Sequence, residues 1–180
     1  MISLFKKEIS VFFSTLTGYL IIGIFLFVHS ILLWSDFSDR NILSYGYADM
    51  NIFFYSAPLF FLIFIPAISM RVFSEEYSSG TIENLITKPI TLLQIVVAKF
   101  SAVFVLVLFT IFSTLIYVVS LFFLGESVGN LDLAGIAGSY FGLIFLCGLF
   151  SSISIYASSL SNNQVISFVL AILLNSLFYF

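Results

Sequence analysis

The sequence is poor in charge. Six basic and nine acidic residues are all that 180 positions carry, 8% of the chain, against about 25% in an ordinary soluble domain. Hydrophobic residues make up 61%, and a water-exposed fold could not cover that much apolar surface. The shortage of charge, with a mean hydropathy of +1.20, assigns the chain to a lipid bilayer. A single cysteine excludes an internal disulfide and a multi-cysteine metal site, and with a single histidine it excludes most metal and nucleophile-plus-base arrangements. Cys147 lies among Phe145, Leu146, Gly148 and Leu149 and reads as a small packing residue. The net charge of -3 is scattered over short loops, so there is no acidic tail and no basic stripe for nucleic acid.

Motifs for chemistry are missing as well. Phosphate cradles of the Gly-x-x-x-x-Gly-Lys type, His-Glu-x-x-His and Gly-x-Ser-x-Gly are absent. The aspartates fall in outward loops, which argues against an intramembrane aspartyl enzyme. The chain is therefore read as non-catalytic and as holding no cofactor of its own.

What is present is a single domain over residues 1–180, an all-α polytopic membrane protein. In residues 1–16, Ile2, Phe5, Ile9, Phe12, Phe13 and Leu16 recur at helical steps with Lys6, Lys7, Ser10 and Ser14 between them, an amphipathic helix lying in the interface. Five transmembrane helices follow, at 17–34, 52–70, 100–124, 133–157 and 165–180. The fifth is a few residues short of a span, and the reading is that the chain is truncated inside it. His29 in the first crossing is expected to reach interfacial water. Asp36, Asp39, Arg40 and Asp49, with Trp34, Tyr45 and Tyr47, read as an aqueous loop framed by an aromatic belt. Pro58 and Pro66 predict two kinks in the second crossing, which must then be packed against protein. In the fourth, Gly138-x-x-x-Gly142 suits close helix packing, within the chain or across a dimer. Asp132 is a plausible cap for that helix, and residues 158–164 read as a polar turn.

The one substantial polar insert is 71–91. Gly80 should break a helix and Thr81 cap a short new one with Ile82, Leu85 and Ile86 on its greasy face; Lys88 favours its carboxyl end and Pro89 stops it. Thr91 and Gln94 match a capping box. Glu75 and Glu76 are expected to be solvated, and Lys99 to extend its ammonium to the interface. Lys6, Lys7, Arg71, Lys88 and Lys99 fall on one face and Arg40 alone on the other, so the first face, with the N-terminus, is expected in the cytoplasm.

Arg71-Val-Phe-Ser-Glu-Glu-Tyr-Ser-Ser-Gly-Thr-Ile-Glu-Asn-Leu85 resembles the Arg-x-Phe-x-Glu-Glu-x-x-x-Gly-Thr-x-Glu-x-Leu segment of type-2 ABC exporter permeases. Phe5-Lys-Lys-Glu8 with Gly18-Tyr19 is similar to their elbow helix, and residues 158–164 to a later loop. Among these families the chain looks most like the gliding-motility-associated permeases of Bacteroidetes. The resemblance implies the type-2 exporter permease fold in a bacterial cytoplasmic membrane. It also implies a separate ABC ATP-binding subunit that carries ATP, and a second permease subunit in a homo- or heterodimer. Arg71, Glu75, Glu76, Gly80, Thr81 and Glu83 would be the residues coupling it to the ATPase. The alternative is a non-transporting membrane scaffold of a motility or secretion assembly.

Overall fold

The computed structural model describes residues 1–35, 42, 49–87, 89–124 and 131–180, with the side chains of Asn84 and Ile86 left aside. The expected aqueous loop at Asp36, Asp39, Arg40, Tyr45 and Tyr47, and the role of Lys88, lie outside the described residues. The described chain is helical: α1 (Ile2–Ser14), α2 (Leu16–Trp34), α3 (Asn51–Ser69), α4 (Arg71–Ser78), α5 (Thr81–Ile86), α6 (Leu92–Ser113), α7 (Leu115–Leu124), α8 (Leu133–Ser159) and α9 (Gln164–Tyr179). Four apolar stretches are long enough to cross a membrane: Leu16–Trp34, Asn51–Ser78, Leu92–Leu124 and Leu133–Ser159. The helix Gln164–Tyr179 is apolar but shorter.

Sequence dictates where several helices start. Thr91 accepts from the Gln94 amide while Gln94 reaches back to the Thr91 amide, so the capping box forms and α6 begins at Leu92. Asp132 accepts from the Gly135 amide at 3.0 Å, and Asn163 caps α9 through Val165 at 2.9 Å. Thr114 separates α6 from α7; its hydroxyl donates to the Ile111 carbonyl at 2.6 Å. The expected third crossing is thus two helical pieces.

The two-proline helix α3 is the enclosed one. The apolar stretch Asn51–Ser78 that it begins is the most buried, at 50% against 44% for Leu92–Leu124, 28% for Leu16–Trp34 and 22% for Leu133–Ser159. It packs on α2, α8 and α9, as the two prolines require of their neighbours. Phe53, Ala57, Phe61 and Ile65 line its buried face.

Within a bilayer apolar burial does not favour helix over lipid, so packing and interhelical hydrogen bonds hold the bundle, each of the latter worth about 0.6 to 2 kcal/mol. Tyr117 donates its proton to the Leu26 carbonyl at 2.7 Å, so Ser30 is the donor in its 2.9 Å contact with that phenol. By the same logic Tyr140 donates to Thr114, 3.0 Å away. Asn175 of α9 donates to Ser154 of α8 at 2.8 Å. His29, expected to reach water, is instead fully buried. Its Nδ1 is 2.8 Å from the Phe25 carbonyl, and Phe25, Phe53 and Phe60 pack on the ring. The aromatic side chains of α3 reach that depth and shut the solvent out.

Candidate functional site

Residues 71–87 fold against the end of the bundle that also holds α1, the start of α6 and the end of α8. The joint between α3 and α4 sits at Met70, whose backbone is itself helical (φ -54, ψ -30). There Ser158 of α8 enters the backbone ladder. Its hydroxyl accepts from the amides of Phe73 at 3.1 Å and Ser74 at 3.3 Å, and donates to the Met70 carbonyl at 3.0 Å. Ser74 also donates to Met70. A side chain inserted among i→i-4 bonds is a recognised cause of helix bending, and here it pins the joint to α8. The turn expected at residues 158–164 is present at 160–163, between α8 ending at Ser159 and α9 starting at Gln164; Ser158 itself is in the last turn of α8 and buried.

Next to the joint lies a charge cluster. Lys99 of α6 has no exposed side-chain surface; its Nζ lies 2.9 Å from Glu8 Oε1 and 2.9 Å from Glu76 Oε2. It donates hydrogen bonds to Glu8 and to the Val72 carbonyl, and the Phe73 ring lies 4.9 Å below the ammonium. The approach to Glu76 Oε2 is a close ionic contact without hydrogen-bond alignment. Lys7 completes the cluster, 3.0 Å from Glu76 Oε1. Two cations and two carboxylates from α1, α4 and α6 thus cancel one another. Two expectations are corrected: Lys99 does not extend to the interface, and Glu76 is buried at 7% exposure instead of solvated. Their charges find partners on other helices, which no local spacing could show.

Burial opposes the charge on Lys7, but the hydrogen bond and attraction of Glu76, with Glu8 and Glu75 adding to it, prevail and raise its pKa above the ordinary lysine value.

Gly80 ends α4 with φ +68, the left-handed conformation in which glycine costs least. It, and not Thr81, occupies the cap position of α5. Thr81 is the first helical residue, and its hydroxyl lies 2.9 Å from that of Ser79. Leu85 is buried and Ile82 half-buried, while Glu83 faces out. Of the six residues singled out by resemblance, Glu75, Gly80, Thr81 and Glu83 are exposed, Arg71 is half-buried and Glu76 is enclosed. Arg71 and Glu75 border one small cavity with Glu8 and Lys99. Gly138 and Gly142 lie far along α8 with nothing within 4 Å of an added Cβ, so among the described residues no helix packs on them.

Ser158 and Glu8 were missed as functional candidates. Glu8 had a signal: an acid inside an otherwise basic interfacial helix needs a cation opposite it.

A family model described as ABC-2 family transporter protein matches residues 10–180. No curated protein and no solved structure matches the chain.

Proposed function

Because the chain belongs to the ABC-2 transporter family, we propose that α4 and α5 are the surface through which its ATP-binding subunit drives transport. The chain is a membrane-embedded permease subunit of an ABC transporter, and that family implies an ATP-binding partner. The observation that supports this surface is the way it is tied down. Glu76 joins α4 to Lys7 of α1 and Lys99 of α6, while Ser158 joins its start to α8. A displacement of α4 and α5 by the ATPase would then move the ends of α3, α6 and α8 together.

In this reading the exposed Glu83, with Thr81 and the Gly80 turn, meets the ATPase, Glu75 flanks that contact on the side of the cavity it borders, and Glu76 holds the surface rigid behind them. The face carrying α1 is cytoplasmic, as the basic residues argue; the membrane is the bacterial inner membrane and the direction is export. The gliding-motility association rests on the sequence resemblance. A second permease subunit seats on the open face of Gly138 and Gly142. The test is co-purification with the ATP-binding subunit and its ATPase rate in vesicles. Reversing Glu83 to lysine is expected to release the subunit, with the permease still folded. Retention of the subunit and a full transport rate in that variant would sink the proposal, whereas a wild type that retains no ATPase and transports nothing would favour a scaffold.

A further inference from the structure

We propose that the cleft between α2 and α3 binds a zwitterionic glycerophospholipid whose headgroup carries a primary amine. Its phosphate meets Arg71, its ammonium meets Glu75, and one acyl chain lies along α2.

Two cavities meet there. The upper one, about 100 Å³, is bordered by Thr15, Thr17, Arg71 and Glu75 at the end of the crossings. The lower one, about 320 Å³, lies between α2 and α3 against Ile24, Phe25, Val28, Phe60, Ile63 and Phe64. Ile21 and Ala67 wall both, so the chamber that carries the charged side chains adjoins the apolar groove. From Ile21 to Val28 the groove covers roughly 10 Å of helix at ~1.5 Å per residue, inside one leaflet of a ~30 Å hydrocarbon core. That is the profile of a lipid: a charged head at the interface and a chain beneath it.

The charges select the head. Arg71 is half-buried, and its closest polar contact is a long one, 3.5 Å to Thr17 Oγ1. Among the described residues neither Arg71 nor Glu75 has an ion-pair partner within 4.0 Å. Lys99 and Glu8 also border the chamber but are spent on each other. What remains is one guanidinium and one carboxylate, four residues apart on one helix face and so about one turn from each other. A guanidinium takes a phosphate in a bidentate grip. The carboxylate beside it would repel a purely anionic headgroup, but it accepts hydrogen bonds from a primary ammonium. A quaternary choline has no N–H to give.

The experiment places the full-length protein, with its ATP-binding subunit, in nanodiscs of equal phosphatidylethanolamine, phosphatidylglycerol and phosphatidylcholine. Bound lipid is then read by native mass spectrometry after mild detergent release. The wild type is expected to retain phosphatidylethanolamine several-fold over the other two. Glu75→Gln, at an exposed position that folding does not need, should abolish the preference over phosphatidylcholine. Arg71→Gln should lower retention of all three, and Ala67→Phe, plugging the neck between the cavities, should do the same. Lipids retained in proportion to supply, a preference for phosphatidylglycerol, or an unchanged pattern in Glu75→Gln would each overturn the proposal. The readout is bound lipid, so it stands or falls separately from coupling to the ATPase.

Discussion

Lys99 carries the largest single-residue consequence. Removing one partner from a buried ion pair leaves the other uncompensated and costs about 3–5 kcal/mol, and Lys99 serves two carboxylates at once. Lys99→Met is therefore expected to lower the thermal midpoint in detergent sharply. Lys99→Met combined with Glu76→Gln and Glu8→Gln should recover much of the loss, since no buried charge is left unpaired and Lys7, which loses Glu76, is at the rim where water reaches it. Lys7 sits at the rim, its side chain 54% exposed, and its effect shows in pH dependence instead. Its folded pKa is raised, so its contribution is fully present below the unfolded value of about 10.5 and declines as pH rises through the folded one. Between about pH 6 and 9 the midpoint of Lys7→Gln should run parallel to that of the wild type. In more alkaline buffer the two should converge.

In the proposed coupling, the deciding element is the α3–α4 joint. Ser158→Ala removes the acceptor for two amides and the donor to Met70, and a buried unsatisfied group costs about 1–3 kcal/mol. Faster hydrogen exchange over residues 70–78, and ATP hydrolysis that no longer drives transport, are the expected outcomes; unchanged exchange would dissociate Ser158 from the joint. The sequence announced the elements well where the signal was local. Thr91 with Gln94, Asp132, Gly80 and the apolar runs each needed only neighbours in the chain. It failed at Lys99, Glu76, Ser158 and His29, whose partners or enclosing rings lie on other helices. An isolated segment would hydrate such side chains, so local chemistry argued for water. Gly138 and Gly142 give the opposite test. An added side chain meets nothing there, and glycine is the poorer helix former by about 1 kcal/mol. Gly142→Leu should thus leave the monomer as stable or more so while lowering the dimer fraction in crosslinking.

At the scale of the whole molecule, the clustered contacts divide the bundle into two ends. The end with α1, α4, α5, the start of α6 and the close of α8 is bound by charge and by Ser158. The opposite end is linked by hydroxyl contacts such as those of Tyr117 and Tyr140, each weaker than a buried charge pair. Spin labels at Lys6 and Glu83 should keep one separation with and without ATP, because they ride on the same block. Labels at Glu83 and Asp132 should change theirs. A shift of the first pair as large as that of the second would mean the block is not rigid.

Ser158 and Met70 are 88 positions apart, and this separation orders events at the ribosome. With synthesis at roughly 5–20 residues per second, the second crossing waits about 4 to 18 seconds before the hydroxyl that completes its lower end has even been made. During that interval the nascent chain holds open amides at the membrane surface, where a quality-control protease can test them. A substitution at Ser158 prolongs that exposure without limit, so its first symptom in the cell should be scarcity of the protein.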